Sequence, residues 1–339
     1  MPTDPPMPAL TLGAYAIAPP PETDGGRAER ELYDALGDVP FDAYELPLVA
    51  EGLPGLELDW VRARVPEDRD LVVTAIPRTM VRLGRDASYG LASSDEDGRQ
   101  AALADLAVVR DFALRLADAS GRRRVLAIEV HSAPGPDGMN GRGGAPGSSE
   151  AFARSLVEIA SWGLGARVVV EHCDRLVEGQ VPEKGFFPVV DEIAAARRAD
   201  ELGAMPLDDG SAALGLSLNW GRSALEDRSG QAPVEHARAA AEAGLLRGVI
   251  LSGATPEATA WGAPWSDGHI PPRGEAPALA GSTASALDLD AARATFAAAG
   301  DGLDYVGAKV SVRPLDASVA ERVALAEASL DLVRRAFAG

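Results

Sequence analysis

Residues 124–134 read RVLAIEVHSAP. An apolar run leads straight into Glu129, and His131 follows two positions later. Side chains alternate across a strand, so Glu129 and His131 share one face while Ile128 and Val130 share the other. The apolar face calls for a cover of helices, and the polar residues come only at the C-terminal end. That is how a parallel strand brings chemistry to the mouth of a barrel or an open sheet. The pattern returns at residues 167–174 (RVVVEHCD), 215–222 (GLSLNWGR), 248–254 (GVILSGA) and 305–314 (YVGAKVSVRP).

Working outward, three earlier stretches read as strands: residues 10–19, 41–48 and 71–77, the last with Pro77 at its exit. Helical periodicity fills the intervals. It predicts helices over 27–36 (closed by Gly37), 54–65, 97–119 (capped by Ser94), 148–159, 189–204, 234–243, 289–299 (after Asp288) and 319–337 (capped by Ser318). Residues 78–97 read as a lid or rim with a short helix, and a loop is expected through Arg222 and Glu226. The glycine-rich stretch 134–147 lacks the strand–GxxxxGK[ST]–helix arrangement and reads as a linker. Eight strands alternating with helices favour a (β/α)8 barrel over an open sheet. The expected organisation is a flexible tail over residues 1–9 and one barrel domain over 10–339.

The formal net charge is -19. Such a surface repels phosphate backbones, so a nucleic-acid partner is not expected. One cysteine, Cys173, excludes an internal disulfide framework. No apolar stretch reaches membrane-spanning length. The start MPTDPPMPAL lacks a basic segment followed by a long apolar one, so the expected location is cytoplasmic.

Glu129 and Glu171 come from neighbouring strands and are expected to point inward together. Two such carboxylates need a metal, a shared proton or a cation. Lys309, on the same face as Gly307 and Ser311, is a candidate for that cation. Lysine occurs only at 184 and 309, both at strand-end positions. His131 is a candidate for proton transfer. His172 lies out of phase with Glu171 and is set to bind substrate or orient a neighbour. Glu45, Lys184, Asn219, Arg222, Trp265, His269 and Arg313 complete the candidate substrate-binding set. The aromatic loop suits a sugar-like ring, and the basic residues suit an anionic group. Structural ion pairing and loop packing are the plainer alternatives for the same residues.

LGAYAIAP (12–19), YELP (44–47), AIPRTM (75–80), SYGLASSDEDGR (88–99), AIEVHSAP (127–134), SSEAFARSL (148–156), VVEHCD (169–174), PEKGF (182–186), LSLNWGRS (216–223), PVEH (233–236), GVILSG (248–253), the Trp265-x-Asp267-x-His269-x-Pro271 pattern and KVSVRP with DASVAERV (309–323) resemble the DUF4862 family. The likeness covers nearly the whole chain. That family is similar in turn to the xylose-isomerase-like TIM barrels, which include sugar isomerases and epimerases. The resemblance implies one divalent ion (manganese, magnesium, cobalt or zinc) held by strand-end acids. By position those ligands are Glu129, Glu171 or Asp174, and Asn219. Lys309 stands where the superfamily places a carboxylate on strand eight, and a cation there repels a metal unless it bonds a ligating acid.

The leading expectation is an isomerase or epimerase acting on a sugar or sugar-derived acid, with Glu129 and Glu171 exchanging a proton. Alternatives are a Schiff-base lyase or aldolase using Lys309, hydrolysis by a metal-bound water, and a carbohydrate-binding barrel without chemistry. A homodimer is a further expectation.

Overall fold

In the computed structural model, the described residues are 7–19, 24–49, 56–138 and 143–339. Residues 1–6 of the expected tail, the start of the helix expected over 54–65 and the middle of the glycine-rich stretch lie outside them. Eight parallel strands close into a barrel in sequence order: β1 (Ala9–Leu12), β2 (Ala43–Pro47), β3 (Asp70–Thr74), β4 (Val125–Val130), β5 (Arg167–His172), β6 (Leu214–Asn219), β7 (Leu246–Leu251) and β8 (Tyr305–Ala308). β1 pairs with β8 and completes the ring.

Alternation along the strands sorts the side chains into two cores. Outward residues such as Leu46, Val73, Ile128, Val170 and Leu218 join the large core beneath the helices. Inward residues Val72, Ala127, Val169, Ile250 and Tyr305 form a separate apolar plug at the lower end of the lumen. Gly248 makes room for that plug, since a Cβ there would lie 2.3 Å from the Tyr305 ring. The polar residues begin one step above.

The helices over Arg27–Leu36, Leu289–Ala299 and Val319–Phe337 lie where the periodicity predicts. Ser318 and Glu321 form a reciprocal capping box on the last one. Four local expectations are corrected. β1 ends at Leu12: the Gly13 amide makes the last ladder bond to Ala308 and the chain turns into the helix Ala14–Ile17. Pro77 sits in the first turn of the helix Ile76–Leu83, where a missing N–H costs nothing. Asp95, not Ser94, caps the helix Glu96–Ser120 by accepting from the Asp97 and Gly98 amides. Residues after β6 form the helix Trp220–Asp227 rather than a loop, capped by Asn219.

Candidate active site

Register sets the depth of each acid. Glu129 pairs with Val169, and Glu171 pairs with Ser217 one layer higher. The two carboxylates therefore share the lumen but not a level. Glu129 lies just above the plug, completely buried, and accepts from the Tyr305 hydroxyl at 2.8 Å and from Ser217 at 3.4 Å. Its second oxygen has no hydrogen-bond partner. Burial, with the charges of Glu171 and Glu45, pushes its carboxyl well above the ordinary value, so Glu129 holds its proton.

Glu171 is the hub of the upper layer. One oxygen lies 2.7 Å from the Arg222 guanidinium and 3.9 Å from the Lys309 ammonium, and accepts from Asn219 at 3.4 Å. The other lies 2.8 Å from His131 Nε2 and accepts from the Thr74 hydroxyl at 3.4 Å. Burial works to raise this carboxyl, but Arg222, Lys309 and His131 outweigh it and hold it well below the ordinary range. Burial likewise lowers His131, which is neutral. With Glu171 facing Nε2, the Nε2–H tautomer is assigned and Nδ1 carries a lone pair without a partner.

Lys309 continues the β8 register, its amide bonding Leu251. Its ammonium donates to Glu45 at 2.6 Å and lies 5.2 Å from the centre of the Tyr15 ring. Burial would lower its pKa, but Glu45, the Tyr15 phenol and Glu171 raise it well above the ordinary value. A Schiff-base lysine needs the opposite shift. Glu45 is raised by burial and partly restored by Lys309, and its second oxygen has no hydrogen-bond partner.

Asp267 ties the rim together. Its carboxylate takes Lys184 Nζ at 3.0 Å and Arg222 Nε at 3.2 Å, and lies 3.4 Å from His269. His269 Nδ1 faces the Ser252 hydroxyl at 2.6 Å, and burial lowers the ring's pKa to about 4. Three cations, Lys184, Arg222 and Lys309, thus face three carboxylates, Asp267, Glu171 and Glu45. Of the basic set expected from the sequence, Lys184 and Arg222 are thus matched by acids, whereas Arg313 bonds the Ala260 and Val312 carbonyls.

Glu45, His131, Glu171, Asn219, Arg222, Lys309, Lys184 and His269 are brought together at the C-terminal mouth. Four other candidates stand elsewhere. His172 points away from the lumen: its Nδ1 lies 2.7 Å from Glu192 and its Nε2 3.3 Å from Glu226. Asp174 anchors a loop by accepting from the Glu183 and Lys184 amides. Arg313 binds the Ala260 carbonyl on the rim, and Trp265 lines a small recess beside Asp174. Sequence reasoning missed Tyr15, whose hydroxyl donates to Glu45 at 3.3 Å, because the apolar run 10–19 reads as one strand and hides the turn into the helix Ala14–Ile17. It also missed Tyr305, which shares the parity of Gly307 and Lys309 and was readable from it.

A divalent ion in the lumen was the expectation from resemblance. The donor atoms of His131, Glu171 and Cys173 lie within 4.8 Å of one another, a spacing one ion can span. Their chemistry opposes it. Glu171 already pairs with two buried cations, Arg222 at 2.7 Å and Lys309 at 3.9 Å. Asp174 takes no part, and an ion held by His131 and Glu171 would have to displace Arg222 and Lys309 from Glu171.

A family model described as "Domain of unknown function (DUF4862)" matches residues 11–325. STM3670, an uncharacterized protein of Salmonella typhimurium, is 33% identical over 263 residues, with 77% of each chain covered. Among solved structures, a putative xylose isomerase from Rhodospirillum rubrum aligns with a TM-score of 0.60 at 11% identity, covering 97% of this chain and 99% of the other. D-psicose 3-epimerase from Clostridium cellulolyticum H10, solved with D-tagatose, aligns with a TM-score of 0.53 at 14% identity, covering 97% and 99%. At these identities the likeness concerns the xylose-isomerase-like barrel fold. No helix among the described residues is long and apolar enough to cross a membrane.

Proposed function

The chain belongs to the DUF4862 family, and from that ground we propose that it is an isomerase or epimerase of a neutral sugar, moving a proton at a carbon beside a carbonyl. The observation that carries the reading is the 2.8 Å contact between Glu171 and a neutral, buried His131 whose Nδ1 is free of protein partners. His131 takes the proton through Nδ1. Glu171 orients the ring and balances the imidazolium as it forms. The Lys309 ammonium stabilises the oxygen that gains charge as the enediolate develops. Returning the proton from His131 to the former carbonyl carbon, while the hydroxyl proton of the first carbon passes to the former carbonyl oxygen, gives isomerisation. Epimerisation needs a second, protonated group on the opposite face, and Glu45, whose carboxyl is raised by burial, fills that role by giving up its own proton. Glu129 supports the floor of the site and does not exchange protons with substrate.

Matched charge at the mouth favours a neutral polyol over an anionic sugar acid. The fold likeness to an epimerase solved with a ketohexose supports the same class. The test is deuterium wash-in, followed by proton NMR, on a panel of ketohexoses, aldoses and hexuronic acids. We expect exchange at the carbon adjoining the carbonyl with a neutral member, abolished in His131→Asn and Lys309→Met. A folded protein that exchanges none of the panel, or only the acids, overturns the reading.

A further inference from the structure

Behind the barrel wall lies a second cluster that the proposed chemistry does not use. His172 at the end of β5, Glu226 on the helix Trp220–Asp227 and His236 on the helix Ala232–Glu242 are all buried. One donor atom from each falls within 4.8 Å of the others. We propose that these three side chains form a structural zinc site.

The two nitrogens of His172 are treated differently. Nδ1 lies 2.7 Å from Glu192, a normal charge-assisted hydrogen-bond length. Nε2 lies 3.3 Å from Glu226 and forms no well-aligned hydrogen bond. His236 Nε2 lies 3.6 Å from the other oxygen of Glu226. These are loose for hydrogen bonds. Ligands about 2.0–2.1 Å from a tetrahedral ion are separated by roughly 3.4 Å, and an ion here would compete with Arg175, which bonds both Glu226 oxygens, from Nε at 2.7 Å and from its amide at 3.1 Å. The His172 and His236 rings meet edge to face with centres 4.7 Å apart.

The supporting contacts are those of a metal ligand. Glu192 fixes the His172 ring from behind, and the Ser132 hydroxyl, at 2.6 Å, fixes Glu192. A carboxylate behind a ligating histidine sets its tautomer and strengthens it as a donor. The neighbouring cation is also weaker than those in the lumen. Arg175 bonds Glu226, but its side chain is 33% exposed, whereas Arg222 beside Glu171 is 2% exposed. Solvent therefore screens the one and not the other. Three protein donors leave the fourth position of a tetrahedral ion to a water. Binding would replace a proton on His172 Nε2 by the ion, so uptake releases protons. It would also pin β5, which carries Glu171, to the helix that carries Arg222.

The test is titration of chelator-treated full-length protein with zinc chloride by calorimetry, and with cobalt(II) by absorption. We expect one equivalent bound, proton release in buffers of different ionisation enthalpy, and an intense four-coordinate d–d band without thiolate charge transfer. His236→Gln should weaken zinc at least 10-fold, whereas Cys173→Ser should leave it unchanged. The unsubstituted protein tests the site even if the His236 variant fails to fold. No stoichiometric uptake, six-coordinate cobalt, or a thiolate band lost in Cys173→Ser overturns the proposal, the last by moving the ion into the lumen. Because the readout is binding, it stands apart from any result on sugar turnover.

Discussion

Arg222 Nη1 lies 2.7 Å from Glu171 Oε1, and both side chains are buried. The contact joins the end of β5 to the helix that follows β6, and it is what keeps a charged carboxylate in the lumen. Removing one partner of a buried pair costs more than removing both. Arg222→Met should therefore destabilise the fold by about 3–5 kcal/mol. The double variant with Glu171→Gln should recover part of that loss. Urea unfolding of the four-member cycle measures it, and simple additivity would contradict the coupling.

The two lumen glutamates should respond oppositely to amide replacement. Glu129 is protonated and holds the Tyr305 hydroxyl, so Glu129→Gln preserves shape and charge. Its cost should be about 1 kcal/mol or less. Glu171→Gln strands Arg222 and Lys309, and should cost about 3–5 kcal/mol. Thermal unfolding of both at neutral pH compares them, and equal losses would mean the two acids are not differently charged.

Acid should weaken the fold in two stages. His131 and His269 are kept neutral by burial, His269 down to about 4, while the unfolded chain protonates from the ordinary 6.5. Below 6.5 the unfolded state thus binds protons the fold refuses, and stability falls at up to ~1.4 kcal/mol per pH unit for each ring. Glu171 and Asp267 are held low against burial, Glu171 by Arg222, Lys309 and His131 and Asp267 by His269, Lys184 and Arg222. Their contribution is complete above the ordinary 4.5 and 3.8 and is lost as pH falls toward their folded values. Unfolding free energy should be followed against pH, and His269→Gln should flatten the first stage. A profile unchanged by that substitution would refute the assignment.

Lys309 should resist covalent capture. Its ammonium is paired with Glu45 at 2.6 Å and its pKa is raised, so borohydride with a carbonyl substrate should leave it unmodified in mass mapping. A reduced adduct at Lys309 would restore the Schiff-base alternative.

Gly13 places the backbone of β1 against Lys309. A Cβ there would lie 2.9 Å from Lys309 Cγ and 3.2 Å from its Cα. Gly13→Ala should displace the ammonium from Glu45 and cost about 1–3 kcal/mol. Calorimetric melting and the deuterium exchange assay together measure it, with exchange falling at least 10-fold. Full exchange in the variant would show that the ammonium's position is unimportant.

The amino-acid sequence by itself determined the barrel, because apolar runs ending in polar residues at a period of two leave few other ways to bury one strand face and expose one mouth. The same parity put Glu171, Asn219 and Lys309 on the lumen side and set His172 apart. Local rules carried Asp288 and Ser318 as helix caps but failed at Asn219, whose polar side chain ends a strand and starts a helix in one step. Depth belonged to the tertiary structure. Strand stagger lowers Glu129 one layer below Glu171, and no single strand records its offset from its neighbour. Pairing belonged to it as well: Glu45 meets Lys309 from 264 residues away, and Asp267 collects one cation from a loop, Lys184, and one from a helix, Arg222. Charge states follow from those meetings and from burial, so proton-holding Glu129 and ionised Glu171 look alike in the sequence and differ only once the chain is closed.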